Sequence, residues 1–298
     1  MACAASLLAV LVSGCSWLPK RAPETNITTA SRQLNQRGMA ASQRGDWDSA
    51  ELLFADATSL SPDDFHGWSN YAEALWQRGE KSQATKAMAR AVELSRREPG
   101  LLVKLGEMYL AQEDLNNASY CADSAIQANP KLADAWALRG DVVTATGDLD
   151  EALASYHRAL SYRPNYPRVQ LETAEIYRRL GRAQRSLSTL RSLAQQYPHG
   201  EEPPRVLVLQ GLALTSLNRH DEAVEVLTTA ARRGQPSAEV FYHLAQAEKQ
   251  AGRMTGAYWA TRQALAIDAG HAASQQLMAE LEGSQRSLAA SPAPRDRI

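Results

Sequence analysis

Large apolar, small apolar and polar residues recur along this chain with a fixed period. The chain aligns column by column in rows of 34 residues: 31–64, 65–98, 99–132, 133–166 and 167–200, then, after a three-residue slip, 204–237 and 238–271. Column 8 is Gly38, Ala72, Gly106, Gly140, Ala174, Gly211 and Ala245, small in every row. Column 20 is Ala50, Ala84, Ala118, Ala152, Ser186, Ala223 and Ala257, again small throughout. Column 27 runs Ala57, Ala91, Ala125, Ala159, Leu193, Ala230 and Ala264. Bulk sits at column 4, with Leu34, Trp68, Leu102, Trp136, Leu207 and Phe241, Gln170 being the exception. Column 24 is mixed: Phe54, Met88, Tyr156, Leu190 and Leu227 are large, Ala122 and Thr261 are not. Two antiparallel helices approach closely only where Gly or Ala leaves room and larger neighbours fill the grooves. Each row therefore predicts a helix pair.

The breaks recur too. Column 15 holds Gly45, Gly79, Gly147, Gly181 and Gly252, with Asn218 in the sixth row and Glu113 as the departure in the third. Gly and Asn tolerate the left-handed backbone that ends a helix. Column 18, with Asp48, Ser82, Asn116, Asp150, Gln184, Asp221 and Thr255, is the expected N-cap of the second helix. Proline closes four rows at Pro62, Pro130, Pro164 and Pro198, where the chain turns into the next unit.

These columns resemble the tetratricopeptide repeat (TPR) family, whose 34-residue helix–turn–helix pattern is matched by "LLVKLGEMYL" in the third row and "AWALRGDVV…GDLDEALASYHRAL" in the fourth. The resemblance covers residues 31–271 and implies an all-α fold, a right-handed α-solenoid of stacked helix–turn–helix repeats. Such units bury their apolar faces only against one another, so the ends need covers. Residues 272–288, with Leu277, Met278 and Leu281 on one stripe, are expected to form a C-terminal capping helix, and residues 289–298 a disordered tail.

In this family the functional surface is usually the concave groove lined by the first helix of each repeat, at columns 2, 5, 9, 12 and 13. Those spacings lie on one helical face. Column 9 carries Glu73, Glu107, Asp141 and Glu175 in succession, between Met39 and the pair Leu212 and Gln246. A ladder of four acids would favour a basic or amide-rich peptide; the alternative is a solvated polar face. Arg168, Arg178 and Arg179 occupy groove columns of the fifth repeat, Trp76 one of the second and Tyr242 one of the seventh. A clamp for a terminal carboxylate fails: Asn70 and Lys104 suit two of its positions, but Asn35, Met39 and Gly100 occupy the others.

Composition narrows the class. Lys plus Arg number 32 against 33 Asp plus Glu, which supplies none of the positive surplus a nucleic-acid binder needs. The six histidines, 66, 157, 199, 220, 243 and 271, are scattered without metal-ligand spacing, and neither a nucleophile elbow nor a P-loop occurs. The reading is a non-enzyme with no metal or other cofactor, binding a protein or peptide partner.

At the N-terminus, residues 4–12 (AASLLAVLV) are apolar but too short to span a bilayer, as suits a secretory signal. The following Val12-Ser13-Gly14-Cys15 resembles the lipobox of bacterial lipoproteins, although residues 1–14 hold no Lys or Arg. That resemblance implies removal of residues 1–14, a lipid on Cys15, a tether over 15–30, and a place in the bacterial cell envelope, at the outer membrane facing the periplasm. Cleavage there removes Cys3 and leaves Cys121 without an intramolecular disulfide partner. The whole then reads as a membrane-anchored scaffold, at work in a pilus, secretion or cell-wall assembly. Two alternatives stand beside it: an enzyme or sugar-binding module built on the repeats, and a cytoplasmic adaptor whose lipobox is accidental.

Overall fold

The computed structural model describes residues 24–198, 200–233 and 237–290. Cys15, the expected signal over 1–14, the tether up to residue 23 and the tail from 291 lie outside them. The described residues hold fifteen helices and no strand. They are α1 (Glu24–Gln43), α2 (Trp47–Leu60), α3 (Phe65–Gln77), α4 (Lys81–Leu94), α5 (Pro99–Leu110), α6 (Leu115–Ala128), α7 (Ala133–Thr146) and α8 (Leu149–Tyr162). The series continues with α9 (Pro167–Arg179), α10 (Ala183–Ala194), α11 (Pro204–Ser216), α12 (His220–Arg232), α13 (Ala238–Gln250), α14 (Met254–Ile267) and α15 (Ala272–Ala290).

Two compact units divide the chain, Met1–Met108 and Tyr109–Ile298, with the division inside α5. In the first, α1 packs on α2 and α3 on α4, while α2 and α1 both touch α3. In the second, α7/α8, α9/α10, α11/α12 and α13/α14 form pairs. The second helix of each pair lies against the first helix of the next, and the first helices α9, α11 and α13 touch in turn. This is the stacking of an α-solenoid. The last pair is covered by α15, whose Leu277 and Leu281 are buried in a cluster with Leu244, Phe241 and Leu227. That is the expected capping helix, running two residues further than its predicted end.

Close approach within a pair depends on column 8. A Cβ on Gly38 would lie 2.6 Å from Cε1 of Phe54, and one on Gly140 would lie 2.4 Å from Cε1 of Tyr156. On Gly211 it would lie 2.4 Å from Cγ of Leu227. These are well inside van der Waals contact, so a methyl group there displaces a side chain that has nowhere to go. Where column 8 is alanine, at Ala72, Ala174 and Ala245, column 24 is Met88, Leu190 or Thr261, never an aromatic ring. Columns 20 and 27 are buried completely or nearly so in every row. In rows two and four, the indole N–H of Trp68 and Trp136 donates to the carbonyls of Pro62 and Pro130 at 2.9 and 2.8 Å, locking the turn between repeats.

Two expectations are corrected. The tether was expected to reach residue 30, but α1 begins at Glu24. Its early turns are anchored by buried Ser31, which donates to the Ala57 carbonyl at 3.1 Å. The N-cap of the second helix falls at column 16 rather than 18. Asp46, Asp114 and Asp148 accept from the backbone N–H of Ser49, Asn117 and Glu151 at 3.0–3.1 Å. Column 18 lies two residues further in, and its acids bind the next repeat: Asp48 pairs with Arg78, Asp150 with Arg182 and Asp221 with Arg253, at 2.6–3.0 Å. Exposed pairs of this kind are worth under about 1 kcal/mol each, so they register neighbouring repeats more than they hold them.

Column 15 is the common hinge between paired helices. All seven of its residues have φ between 57° and 95°, including Asn218 and Glu113. Glu113 thus meets the same backbone demand as the glycines, against the steric cost of its Cβ. Glu113→Gly is expected to raise the stability of the chain by about 0.5–1 kcal/mol, whereas Gly147→Ala, with open space around it, lowers it by about 1 kcal/mol purely through backbone strain. Thermal unfolding followed by circular dichroism reads both, and a loss of stability in Glu113→Gly would refute the assignment.

Candidate functional site

The predicted groove columns lie on the first helices, of which α1 touches α3 in the first unit and α9, α11 and α13 touch in turn in the second. In the second unit their charges are largely spent on the protein itself. Asp141 on α7 accepts the phenol of Tyr156 at 2.7 Å and the Nη1 of Arg168 on α9 at 2.8 and 3.0 Å. Glu175 takes Nε and Nη2 of Arg178, one turn along α9, at 2.9 and 2.6 Å. Glu172 on α9 pairs with Arg205 on α11 at 3.2 Å. The Tyr156 phenol is pushed well above its ordinary value by burial, with the Asp141 charge adding to it, and stays a neutral donor. The Glu175 hydrogen bonds raise the Arg178 guanidinium above its usual value, against burial.

The four-acid ladder is therefore corrected in this unit: Asp141 and Glu175 are held in internal ion pairs rather than standing free. At a carboxylate side-chain exposure of only 17% for Asp141, leaving Arg168 without it would strand a half-buried cation. Near the start of α7, Arg163 forks onto Asp134 with two bonds of 2.8 Å, and the Tyr166 phenol donates to the same carboxylate at 2.7 Å. Burial works against the charged Asp134, but these bonds outweigh it and keep the carboxyl below its ordinary range. Of the predicted arginines only Arg179, exposed on α9, makes no ion pair among the described residues.

In the first unit, Glu73 accepts from the side-chain amide of Gln77 at 2.8 Å, Glu107 is exposed on α5, and the Trp76 ring lies 5.8 Å beneath the Lys81 ammonium. A cavity of about 890 Å³ opens between α1 and the α2–α3 turn. Arg32, Asn35 and Met39 line it from α1, at columns 2, 5 and 9, and face Asp63, Asp64 and Leu60. Asn35 donates weakly to Asp64 at 3.4 Å while its own side-chain oxygen is buried without a partner among the described residues.

In the second unit a cleft of about 410 Å³ lies between α13 and α15. Tyr242, Gln246, Lys249 and Gln250 form one wall, at columns 5, 9, 12 and 13, and Gln276, Leu277 and Glu280 stand on the other. Two side-chain contacts tie its two ends: Glu239 with His271 at 3.1 Å and the Lys249–Glu280 salt bridge at 2.7 Å. The other oxygen of Glu239 takes His243 at 2.9 Å; burial pushes that imidazole below its ordinary value, partly opposed by the Glu239 charge. Of the residues named from sequence, Tyr242, Gln246 and Leu277 line this cleft. Gln250, Gln276 and the Lys249–Glu280 bridge were not singled out. Gln250 sits on a groove column and was legible; Gln276 lies on the capping helix, outside the repeat register. Among the described residues no group of three or more His, Cys, Asp and Glu is placed to hold a metal ion, and Cys121 is buried on α6.

Comparison with known proteins fits this architecture. Family models described as "Tetratricopeptide repeat" match residues 143–207 in one case and 35–99, 103–156 and 208–272 in another. Among curated relatives, the peroxisomal targeting signal receptor of Saccharomyces cerevisiae is 28% identical over 81 residues, 27% of this chain and 13% of that protein. Protein bimA of Emericella nidulans is 21% identical over 165 residues, 55% of this chain and 20% of that one. The chain thus spans a fifth or less of these relatives. A tetratricopeptide repeat protein from Parabacteroides merdae superposes with a TM-score of 0.62 at 14% identity, covering 85% of this chain and 99% of that one. PilF of Pseudomonas aeruginosa does so at 0.55 and 17%, covering 86% and 99%. On its repeat columns, its helix pairs and the extent of these matches, the chain belongs to the tetratricopeptide repeat family.

Proposed function

We propose that this chain is a membrane-anchored TPR scaffold that holds a protein or peptide partner against its first helices and serves in assembly of an envelope complex. The observation that carries the binding half is the coincidence of groove columns with cavities. In each unit one wall of a cleft comes from columns 2, 5 and 9, or 5, 9, 12 and 13, of a first helix. Similarity to a receptor for a targeting signal, though over a small share of that protein, supports a peptide-like partner. The anchoring half rests on Val12-Ser13-Gly14-Cys15 behind an apolar run. With α1 starting at Glu24, the eight residues between it and Cys15 would reach at most about 30 Å, so a lipid on Cys15 would hold the first repeat close to the bilayer.

Because Asp141, Glu172 and Glu175 are already paired, recognition in the second unit depends on short-range contacts more than on long-range attraction. In a bacterial host, Cys15→Ala is expected to move the chain from the membrane pellet to the soluble fraction; an unchanged pellet would remove the lipid from the account. Photo-crosslinking residues placed at 179 and 246, on first helices, are expected to give a discrete protein adduct in cells. The same probe at exposed Leu52 and Tyr120, on second helices, is expected to give none. Adducts at 52 and 120 alone would overturn the assignment of the binding face.

A further inference from the structure

The first repeat presents a basic face on α1, and we infer that this face docks on a membrane surface carrying anionic headgroups. The inference rests on the membrane-anchored reading, which puts a bilayer within reach, and it names the side of the chain that meets it.

Burial of the repeat columns locates the face. Columns 3, 7 and 10 of a first helix turn toward the preceding repeat. Val169 and Ile176 of α9, at columns 3 and 10, join the core of the fourth repeat around Tyr156, and Ala74 of α3, at column 10, joins that of the first around Phe54. Leu105 and Leu244 are buried at column 7. The first row has no such neighbour among the described residues. There the same columns are Gln33, Arg37 and Ala40, all exposed, and Arg44 continues the stripe. Spacings of 4, 3 and 4 keep these four on one side of α1, over about 16 Å.

A polar end is what any solenoid needs to stay soluble. Solubility does not dictate the sign of its charge. Residues 25–45 hold Arg32, Arg37 and Arg44 and no acid, and none of the three makes an ion pair among the described residues. Asp46, the next acid along the chain, spends its carboxylate on the N–H of Ser49. Between later repeats, by contrast, Arg78, Arg168, Arg182, Arg205 and Arg253 are each clipped to a carboxylate. Lys20, Arg21 and these three arginines against Glu24 give residues 16–45 a net charge of +4, so the rest of the chain carries −5 within a total of −1. The positive part is the part next to Cys15.

Distance selects the partner. The potential of an anionic leaflet fades within a Debye length, about 10 Å at 0.1 M salt. Only a face held against the bilayer feels it, and the short link from Cys15 to Glu24 would hold α1 there. The acidic remainder is repelled by the same surface, which would stand the later repeats away from it. No large apolar side chain lies in the stripe of Gln33, Arg37, Ala40 and Arg44, so the contact is with headgroups and its strength depends on salt.

The test uses the full chain with Cys15→Ala, so that no acyl chain contributes, and sucrose-loaded vesicles of phosphatidylcholine alone or with about 30% phosphatidylglycerol. Residues 4–12 add apolar affinity for both kinds alike, so the readout is the ratio of the two partition coefficients. At about 0.05 M NaCl the ratio is expected to exceed about 30, and at about 0.5 M to fall below about 3. Arg37→Gln with Arg44→Gln is expected to lower it about tenfold, while Arg37→Lys with Arg44→Lys preserves it. Arg232→Gln with Arg262→Gln removes the same charge from exposed sites in the second unit and is expected to leave the ratio within about twofold. A ratio near one, an equal fall from the Arg232 and Arg262 pair, or release from the vesicles by an equimolar DNA duplex would overturn the inference. Fractionation of Cys15→Ala cells reads the lipid separately. If that chain leaves the pellet but the ratio is near one, the anchor stands and the face fails; if it stays in the pellet while the ratio holds, the lipid fails and the face stands.

Discussion

The fit of the Tyr156 ring into the notch left by Gly140 shows the constraint from which much else in the second unit follows. A missing Cβ lets α7 and α8 approach until the ring fills the gap, leaving 2.4 Å to where a methyl carbon would be. The ring is almost fully buried, so its hydroxyl must find a partner inside the protein. It finds Asp141, and the same carboxylate reaches across to Arg168 on the next repeat. One close contact thereby sets the spacing of a helix pair, the protonation of a phenol and the charge on the first-helix face. Gly38 with Phe54 and Gly211 with Leu227 repeat the steric half of this arrangement without its polar half.

The electrostatic consequence is a surface that neutralises itself. Internal pairs link α7 to α9 and α9 to α11, and exposed clips link the turn of one repeat to the second helix of the one before. Near-equal numbers of acids and bases in the composition are therefore arranged locally, not merely balanced in total. Such a face has little long-range field, so on the proposed function discrimination between partners would fall to shape and hydrogen bonding.

Much of the fold was legible because its determinants repeat. Seven rows sharing small residues at columns 8 and 20 and a left-handed hinge at column 15 make a signal that no single row carries. Glu113 shows the strength of the repeat: the backbone keeps the glycine conformation although the side chain argues against it. The start of α1 was hidden because Thr25, Ile27, Thr28 and Thr29 are poor helix formers, and tertiary contact, through Ser31 on Ala57, overrides that preference. The N-cap was placed two residues late because Asp occurs at both columns, 16 and 18, and only geometry tells a cap from an inter-repeat clip. The pairing of two column 9 acids was hidden for a related reason. Their partners, Arg168 for Asp141 and Arg178 for Glu175, lie in other columns, and reading one column at a time hides them.

The most direct measurement is a double-mutant cycle on Gly140→Ala and Tyr156→Met, which together transplant the Ala72–Met88 combination of the second row into the fourth. Helix propensity alone makes Gly140→Ala stabilising by about 1 kcal/mol. Steric exclusion makes it destabilising, and makes the flexible methionine relieve part of that cost. The account predicts a coupling of about 1–3 kcal/mol between the two substitutions in chemical denaturation. Effects that add to within about 0.5 kcal/mol, or a Gly140→Ala chain more stable than the parent, would contradict it.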